Sequence, residues 1–181
     1  MAWTALLLDL VPVLIFVIFD RLGKIKYAVA GAVLAALLEL LVSHFILDGI
    51  HVISIVYASL FLVFGGLSYK FNNSFFFKLK PAFISLVTGL VFAITYASGK
   101  PFMVLLLERY SDSLPSQVNH LITSAHWQQI FTRVSFNLIF GLFAHAALIA
   151  WVARHHSTWW WFAASYGGGF AVVYLALQLA L

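Results

Sequence analysis

The sequence predicts an all-α integral membrane protein, a bundle of about six transmembrane helices with one amphipathic helix in the membrane interface. Of its 181 residues, 64% are hydrophobic and only 9% are charged, whereas about a quarter of the residues of a soluble domain are charged. A soluble domain of this length could not bury so much apolar surface. The composition therefore excludes a soluble globular enzyme, and the low charge excludes a coiled coil or a disordered chain.

Six apolar stretches are each long enough to cross a membrane as a helix, which satisfies its backbone polar groups internally. We predict that residues 1–181 form one membrane domain with spans over 3–19, 27–47, 50–69, 81–99, 127–152 and 159–181. Pro81 opens the fourth span, because proline is favoured in the first turn of a helix. The tryptophans fall at predicted span ends, where indole rings anchor a helix in the interface: Trp3, Trp127, Trp151, Trp159, Trp160 and Trp161.

Residues 101–126 form the predicted interfacial segment. Its first part, 101–107, is apolar but too short to cross a membrane. Ser113 and Pro115 are typical of a helix start. Apolar residues then recur at the spacing of one helical face, which predicts an amphipathic helix lying along the membrane surface: Val118, Leu121, Ile122 and Ala125.

The chain carries ten Lys and Arg against six Asp and Glu, a formal net charge of +4. This excess is typical of orientation signals and of contact with anionic lipids, and is too small and scattered for a nucleic-acid interface. Membrane lipids are therefore predicted partners, and nucleic acid is not. The links after spans one, three and five hold most of the cations, which places them in the cytoplasm by the positive-inside rule: Arg21, Lys24, Lys26, Lys70, Lys78, Lys80 and Arg154.

Two carboxylates interrupt the apolar runs. Glu39 lies in the second span, where an ionised side chain at mid-bilayer costs about 2.5–3.5 kcal/mol for comparable residues. Its helix carries rows of small residues that let helices approach closely, which predicts that Glu39 faces a packed interface. It is either a proton or cation site, or a hydrogen-bonding or headgroup-hydrated carboxyl. Asp9 lies near the N-terminus and offers the same alternatives.

The fifth span carries a polar and small stripe of residues four apart, which share one helix face: Arg133, Asn137, Gly141 and His145. With Asp9 and Glu39, the residues Arg133, Asn137 and His145 form a candidate intramembrane polar site. The stripe could line a cavity, with Arg133 paired to a carboxylate, or it could hold helices together through hydrogen bonds.

Three glycines, Gly167, Gly168 and Gly169, lie together within the predicted sixth span. Consecutive glycines weaken a helix. They permit either close packing against a neighbouring helix or an unwound point of the kind found at transporter sites.

We predict no catalytic residue, no metal and no cofactor. The sequence has no cysteine, no nucleophile elbow, no zinc-protease motif and no phosphate-binding loop. His44, Asp48 and His51 have the spacing of metal ligands, but the turn expected at Gly49 separates them. A membrane enzyme that uses only Asp, Glu and His stays open as an alternative.

The most distinctive stretch lies between the third and fourth spans. It reads Phe64-Gly65-Gly66-Leu67-Ser68, then Phe71-Asn72-Asn73, Phe76, Lys78 and Lys80-Pro81. This stretch resembles the signature of the bacterial intracellular septation protein A family, the inner membrane-spanning YciB proteins. Asp9-Leu10-Val11-Pro12 and Lys100-Pro101 also resemble segments of that family.

The resemblance implies a multi-pass inner-membrane protein of cell envelope biogenesis and cell division, or septation. It would act through division or elongation membrane proteins rather than by catalysis, and no catalytic residue carries over. In physical terms, Gly65 and Gly66 permit close packing, Asn72 and Asn73 favour a turn, and Pro81 starts a helix. Lys78 and Lys80 are expected to meet lipid phosphates.

The sequence is consistent with more than one orientation, oligomeric state and function. Relatives carry their basic clusters after spans two and four, so the charge bias and the resemblance disagree on orientation. The oligomeric state is also open. Alternative functions are a small transporter or channel lined by Glu39, Arg133, Asn137 and His145, and a lipid-processing membrane enzyme.

Overall fold

The computed structural model describes residues 2–46, 52–110 and 124–181, with side chains described for 11–41, 55–109 and 124–181. Within these ranges the secondary structure is helical and contains no strand. The helices are α1 Ala2–Arg21, α2 Ile25–Ile46, α3 Val52–Phe71, α4 Ser74–Lys78, α5 Lys80–Ala97, α6 Phe102–Tyr110, α7 Ala125–His155 and α8 Thr158–Gln178.

Six of these helices coincide with the six predicted apolar stretches, with ends that differ by about three residues or less. Among the described residues, three helical stretches are long and apolar enough to cross a membrane: Ser74–Ala97, which combines α4 and α5, Ala125–His155 and Thr158–Gln178. Ile55–Phe71 is a shorter apolar helix. The chain is thus a helical membrane protein, and the number of six crossings stays a prediction.

The predicted interfacial segment is described only in part. Its apolar start forms the short helix α6, and Ala125 opens the long helix α7. The amphipathic repeat around Val118 lies outside the described residues. Asp48, His51 and the side chain of His44, the three residues with metal-ligand spacing, also lie outside the described residues.

The chain divides into two compact units. Unit 1 comprises Met1–Lys80 and Ala150–Phe162, and unit 2 comprises Pro81–Ile149 and Ala163–Leu181. The end of α7 and the start of α8 therefore belong to unit 1, and the rest of both helices to unit 2. The single membrane domain of residues 1–181 stays a prediction.

Unit 1 packs α1 against α2 and α2 against α3. One row of small residues on α2, Ala28, Ala32 and Ala36, is buried. Glycine allows the closest approaches: a Cβ at Gly65 would lie 2.8 Å from Cγ2 of Val33. Small residues thus bring these helices together, as the sequence predicted for the second span.

Unit 2 has its apolar core between α5, α7 and α8. The buried members of this core are Phe92, Ile130, Val134, Leu138, Ala176 and Ala180. Phe102 and Met103 of α6 pack against them, and the Phe102 ring lies 4.9 Å from that of Phe92. The start of the predicted interfacial segment therefore packs on protein.

Candidate functional site

A buried ion pair joins two links of unit 1. Lys78 Nζ, at the end of α4, lies 3.4 Å from a carboxylate oxygen of Asp20, at the end of α1, and each side chain is 7% exposed. The hydroxyl of Thr158, in the first turn of α8, donates to the same oxygen. The carboxylate is therefore neutralised and hydrogen-bonded, which a buried charge requires. Together the two contacts hold three helix ends at one place.

Aromatic side chains pack beside the ion pair. Phe16 stacks on Phe77 with ring centroids 3.9 Å apart, and meets Trp161 edge-on at 5.9 Å. The indole Nε1 of Trp161 donates to the backbone carbonyl of Lys78 at 2.7 Å. All three rings are fully buried, or nearly so. Trp161 is therefore a core residue of unit 1. Its position at the end of a predicted span had indicated an anchor in the membrane interface.

The turn that leads into α4 positions Lys78. Asn72 adopts a left-handed backbone with φ 48°, a conformation that asparagine tolerates better than most residues. Asn73 caps the helix, since its side-chain oxygen accepts from the N–H of Phe75 at 2.9 Å. The buried hydroxyl of Ser68 accepts from the N–H of Phe77 at 2.7 Å. The Asn-Asn turn thus aims the aromatic and basic face of α4 inward.

The structure places Lys78 and Lys80 among protein groups, whereas the sequence predicted two exposed surface lysines. Both residues are only 6% exposed. Lys78 pairs with Asp20, and Lys80 Nζ lies 3.1 Å from the ring centroid of Phe61. The physical reason is that a carboxylate and an aromatic face each stabilise an ammonium that has left water.

A cavity of about 320 Å³ opens beside the ion pair within unit 1. It is lined by Asn73, Ser74, Phe75, Lys78, Ala153, Arg154 and His156. Its walls combine two cationic side chains and a histidine with an aromatic ring, a methyl group and small polar groups. This cavity is the candidate functional site, and two of its residues, Asn73 and Lys78, belong to the motif singled out in the sequence.

His145 of the predicted stripe is buried in unit 2. Its Nδ1 lies 3.0 Å from the Ser85 hydroxyl, and its Nε2 lies 3.1 Å from the carbonyl oxygen of Ala164. A carbonyl can only accept, so Nε2 carries the hydrogen, and Nδ1 of a neutral ring accepts from Ser85. A Cβ at Gly168 would lie 3.0 Å from the imidazole. The central glycine of the triplet thus serves close packing within a continuous helix α8.

The other predicted polar residues are described one by one. Asn137 donates from Nδ2 to the carbonyl of Ala176 at 3.2 Å, and Arg133 is exposed. Glu39 is half-buried on α2 in unit 1, and the side chain of Asp9 lies outside the described residues. Among the predicted polar residues whose side chains are described, Glu39, Arg133, Asn137 and His145, none lines the cavity. A pairing of Arg133 with Glu39 or Asp9 stays a prediction.

Sequence reasoning missed several residues of the site. The sequence predicted Arg154 only as a link cation and did not predict Asp20 or Thr158 as site residues. Asp20 is nevertheless the single acid among the cations of the link after the first span. That isolated carboxylate was the available signal, because a lone acid in a basic link is a natural partner for one of the cations.

These features define a polytopic helical membrane protein with polar contacts buried at its helix ends. Residues 4–181 match the family model described as intracellular septation protein A, and the chain belongs to this family. A curated relative, the inner membrane-spanning protein YciB of Afipia carboxidovorans, is 24% identical over 123 residues. The match covers 68% of this chain and 60% of the relative, so the chain spans less than two thirds of that relative's length. No solved structure matches the chain.

Proposed function

We propose that this protein is an inner-membrane component of cell envelope biogenesis and septation that acts by binding membrane partners rather than by catalysis. The observation that carries the proposal is the match to the septation family over residues 4–181. The partners proposed are division or elongation membrane proteins, together with membrane lipids. The name of the Afipia relative supports the inner membrane as its location.

The exposed apolar surface supports a role in binding. Phe170 is 77% exposed, Trp160 68% and Phe140 62%. Large exposed apolar side chains on membrane helices face lipid or another protein. In contrast, Asn137 and His145 donate to backbone carbonyls. That arrangement favours interhelical hydrogen bonding over a polar transport pathway.

Deletion of the gene in its own bacterium tests the role in septation. We expect altered cell length or septum placement by fluorescence microscopy, with restoration by the wild-type chain. Normal division under both standard and envelope-stress conditions would contradict the proposal.

Site-specific photo-crosslinking in living cells tests the partners. A photoreactive phenylalanine analogue at Phe170, which is exposed, is compared with the same analogue at Phe16, which is 0% exposed. We expect crosslinks to division or elongation membrane proteins from position 170 alone. If position 170 yields only lipid adducts, the proposal of protein partners is wrong. The role in septation is tested independently by the gene deletion.

A further inference from the structure

We propose that the cavity beside Lys78 and Arg154 binds a phosphate group, either of an anionic lipid headgroup or free in solution. The proposal does not depend on the role in septation. It concerns the cavity of about 320 Å³ described above, a volume at the lower end of the roughly 300–1,000 Å³ of small-ligand sites.

The charges around the cavity favour an anion. Lys78 and Arg154 contribute two positive charges to its wall, and Asp20 behind Lys78 contributes one negative charge. The carboxylate is already engaged by the Lys78 ammonium and the Thr158 hydroxyl. The local net charge of these three groups is therefore +1.

Arg154 is the main recognition group. It is exposed in the last turn of α7 and forms no ion pair with a carboxylate among the described residues. A guanidinium offers a planar pair of donors that matches two phosphate oxygens, a geometry that an ammonium lacks. Ser74 and Asn73 add neutral polar groups to the lining of the cavity.

The remaining walls favour a phosphate attached to an organic group. Phe75 and Ala153 contribute apolar groups to the lining of the cavity. A bare phosphate ion offers these apolar groups no carbon atoms to contact, whereas a glycerophosphate headgroup does. The shared chemistry is the phosphate, and the two sources are separated by experiment.

The test is isothermal titration calorimetry of the full chain, purified in an uncharged detergent. One arm adds inorganic phosphate, and the other adds dihexanoyl-phosphatidylglycerol. We expect Arg154→Gln to weaken binding of the phosphate-bearing probe at least about tenfold. The matched control is Arg21→Gln, since Arg21 is an exposed arginine in the last turn of α1 that does not line the cavity. We expect this control to change the affinity less than about twofold.

Each outcome decides the proposal. Binding of the lipid alone assigns the site to a headgroup, and equal binding of inorganic phosphate assigns it to free phosphate. Absence of binding of both probes to the wild type, or equal losses in the Arg154 and Arg21 variants, overturns the proposal.

If Arg154→Gln does not fold, Ser74→Asp replaces it and Ser74→Asn serves as its neutral control. The variant should fold, because aspartate is common in the first turn of a helix. The introduced carboxylate should abolish binding, because it repels phosphate.

Discussion

The two units of the molecule bury polar groups in different ways. Unit 1 buries a charged pair, Asp20 and Lys78, at the ends of helices. Unit 2 buries neutral groups, with His145 bound to Ser85. Losing one partner of a buried charge pair costs about 3–5 kcal/mol, whereas an interhelical hydrogen bond in a membrane protein averages about 0.6 kcal/mol. Unit 1 should therefore depend on one specific pair, and unit 2 on many small contributions.

The largest effect is expected from Lys78→Met, which leaves the buried Asp20 carboxylate without its ammonium. We expect the free energy of unfolding to fall by about 3–5 kcal/mol, measured by SDS titration of the micelle-embedded protein with circular dichroism. The double variant Asp20→Asn/Lys78→Met should recover most of this loss, because no unpaired charge is left. Lys70→Met is the control, since Lys70 is exposed. Equal losses for Lys78→Met and Lys70→Met would remove the contrast between the units.

The second effect concerns the paired glycines of α3. An alanine at Gly65 would place its Cβ 2.8 Å from Cγ2 of Val33, so one helix must shift. We expect Gly65→Ala to lower the free energy of unfolding by about 1–3 kcal/mol. Gly66 has no atom within 4 Å of such a Cβ. Gly66→Ala should therefore be neutral or stabilise by up to about 1 kcal/mol. Similar effects at both positions in the same titration would show that α2 and α3 do not meet at Gly65.

A smaller effect is expected from Trp161→Phe. The substitution removes the indole donor to the Lys78 carbonyl and keeps an aromatic ring beside Phe16. We expect a loss of about 0.5–1.5 kcal/mol in unfolding free energy, the usual net contribution of one hydrogen bond. Trp160→Phe is the matched control, because Trp160 is 68% exposed. A loss at Trp160 that equals the loss at Trp161 would contradict the indole bond.

The sequence predicted the helices well because helix length follows directly from the extent of an apolar run. It also placed Asn137 and His145 on one face, because positions four apart repeat on a single helix. Periodicity within one helix does not identify the neighbouring helix, so the carbonyls of Ala164 and Ala176 were not predictable.

The candidate site was less predictable, because it is built from links. Thr158 and Asp20 are separated by 138 positions in the chain, and no periodic pattern relates them. The sequence predicts that Lys78 lies at the membrane surface, because a lysine in a link is usually exposed to water and to lipid phosphates. Only the fold shows that the Asn72-Asn73 turn directs this lysine inward, toward a carboxylate.

The smallest effect is expected for the hydrogen bond between Ser85 and His145 in unit 2. A double-mutant cycle of Ser85→Ala and His145→Leu measures it. The coupling free energy between the two substitutions should be about 0.6 kcal/mol, because in the membrane-embedded unfolded state both groups find other partners. The same titration on Ser85→Ala with Asn137→Leu gives the control. Asn137 bonds the Ala176 carbonyl instead, so its coupling to Ser85 should be near zero. A Ser85–His145 coupling above about 2 kcal/mol would show that unit 2, like unit 1, depends on one specific pair. Zero coupling would show that the imidazole is held by the Ala164 carbonyl and by packing on Gly168.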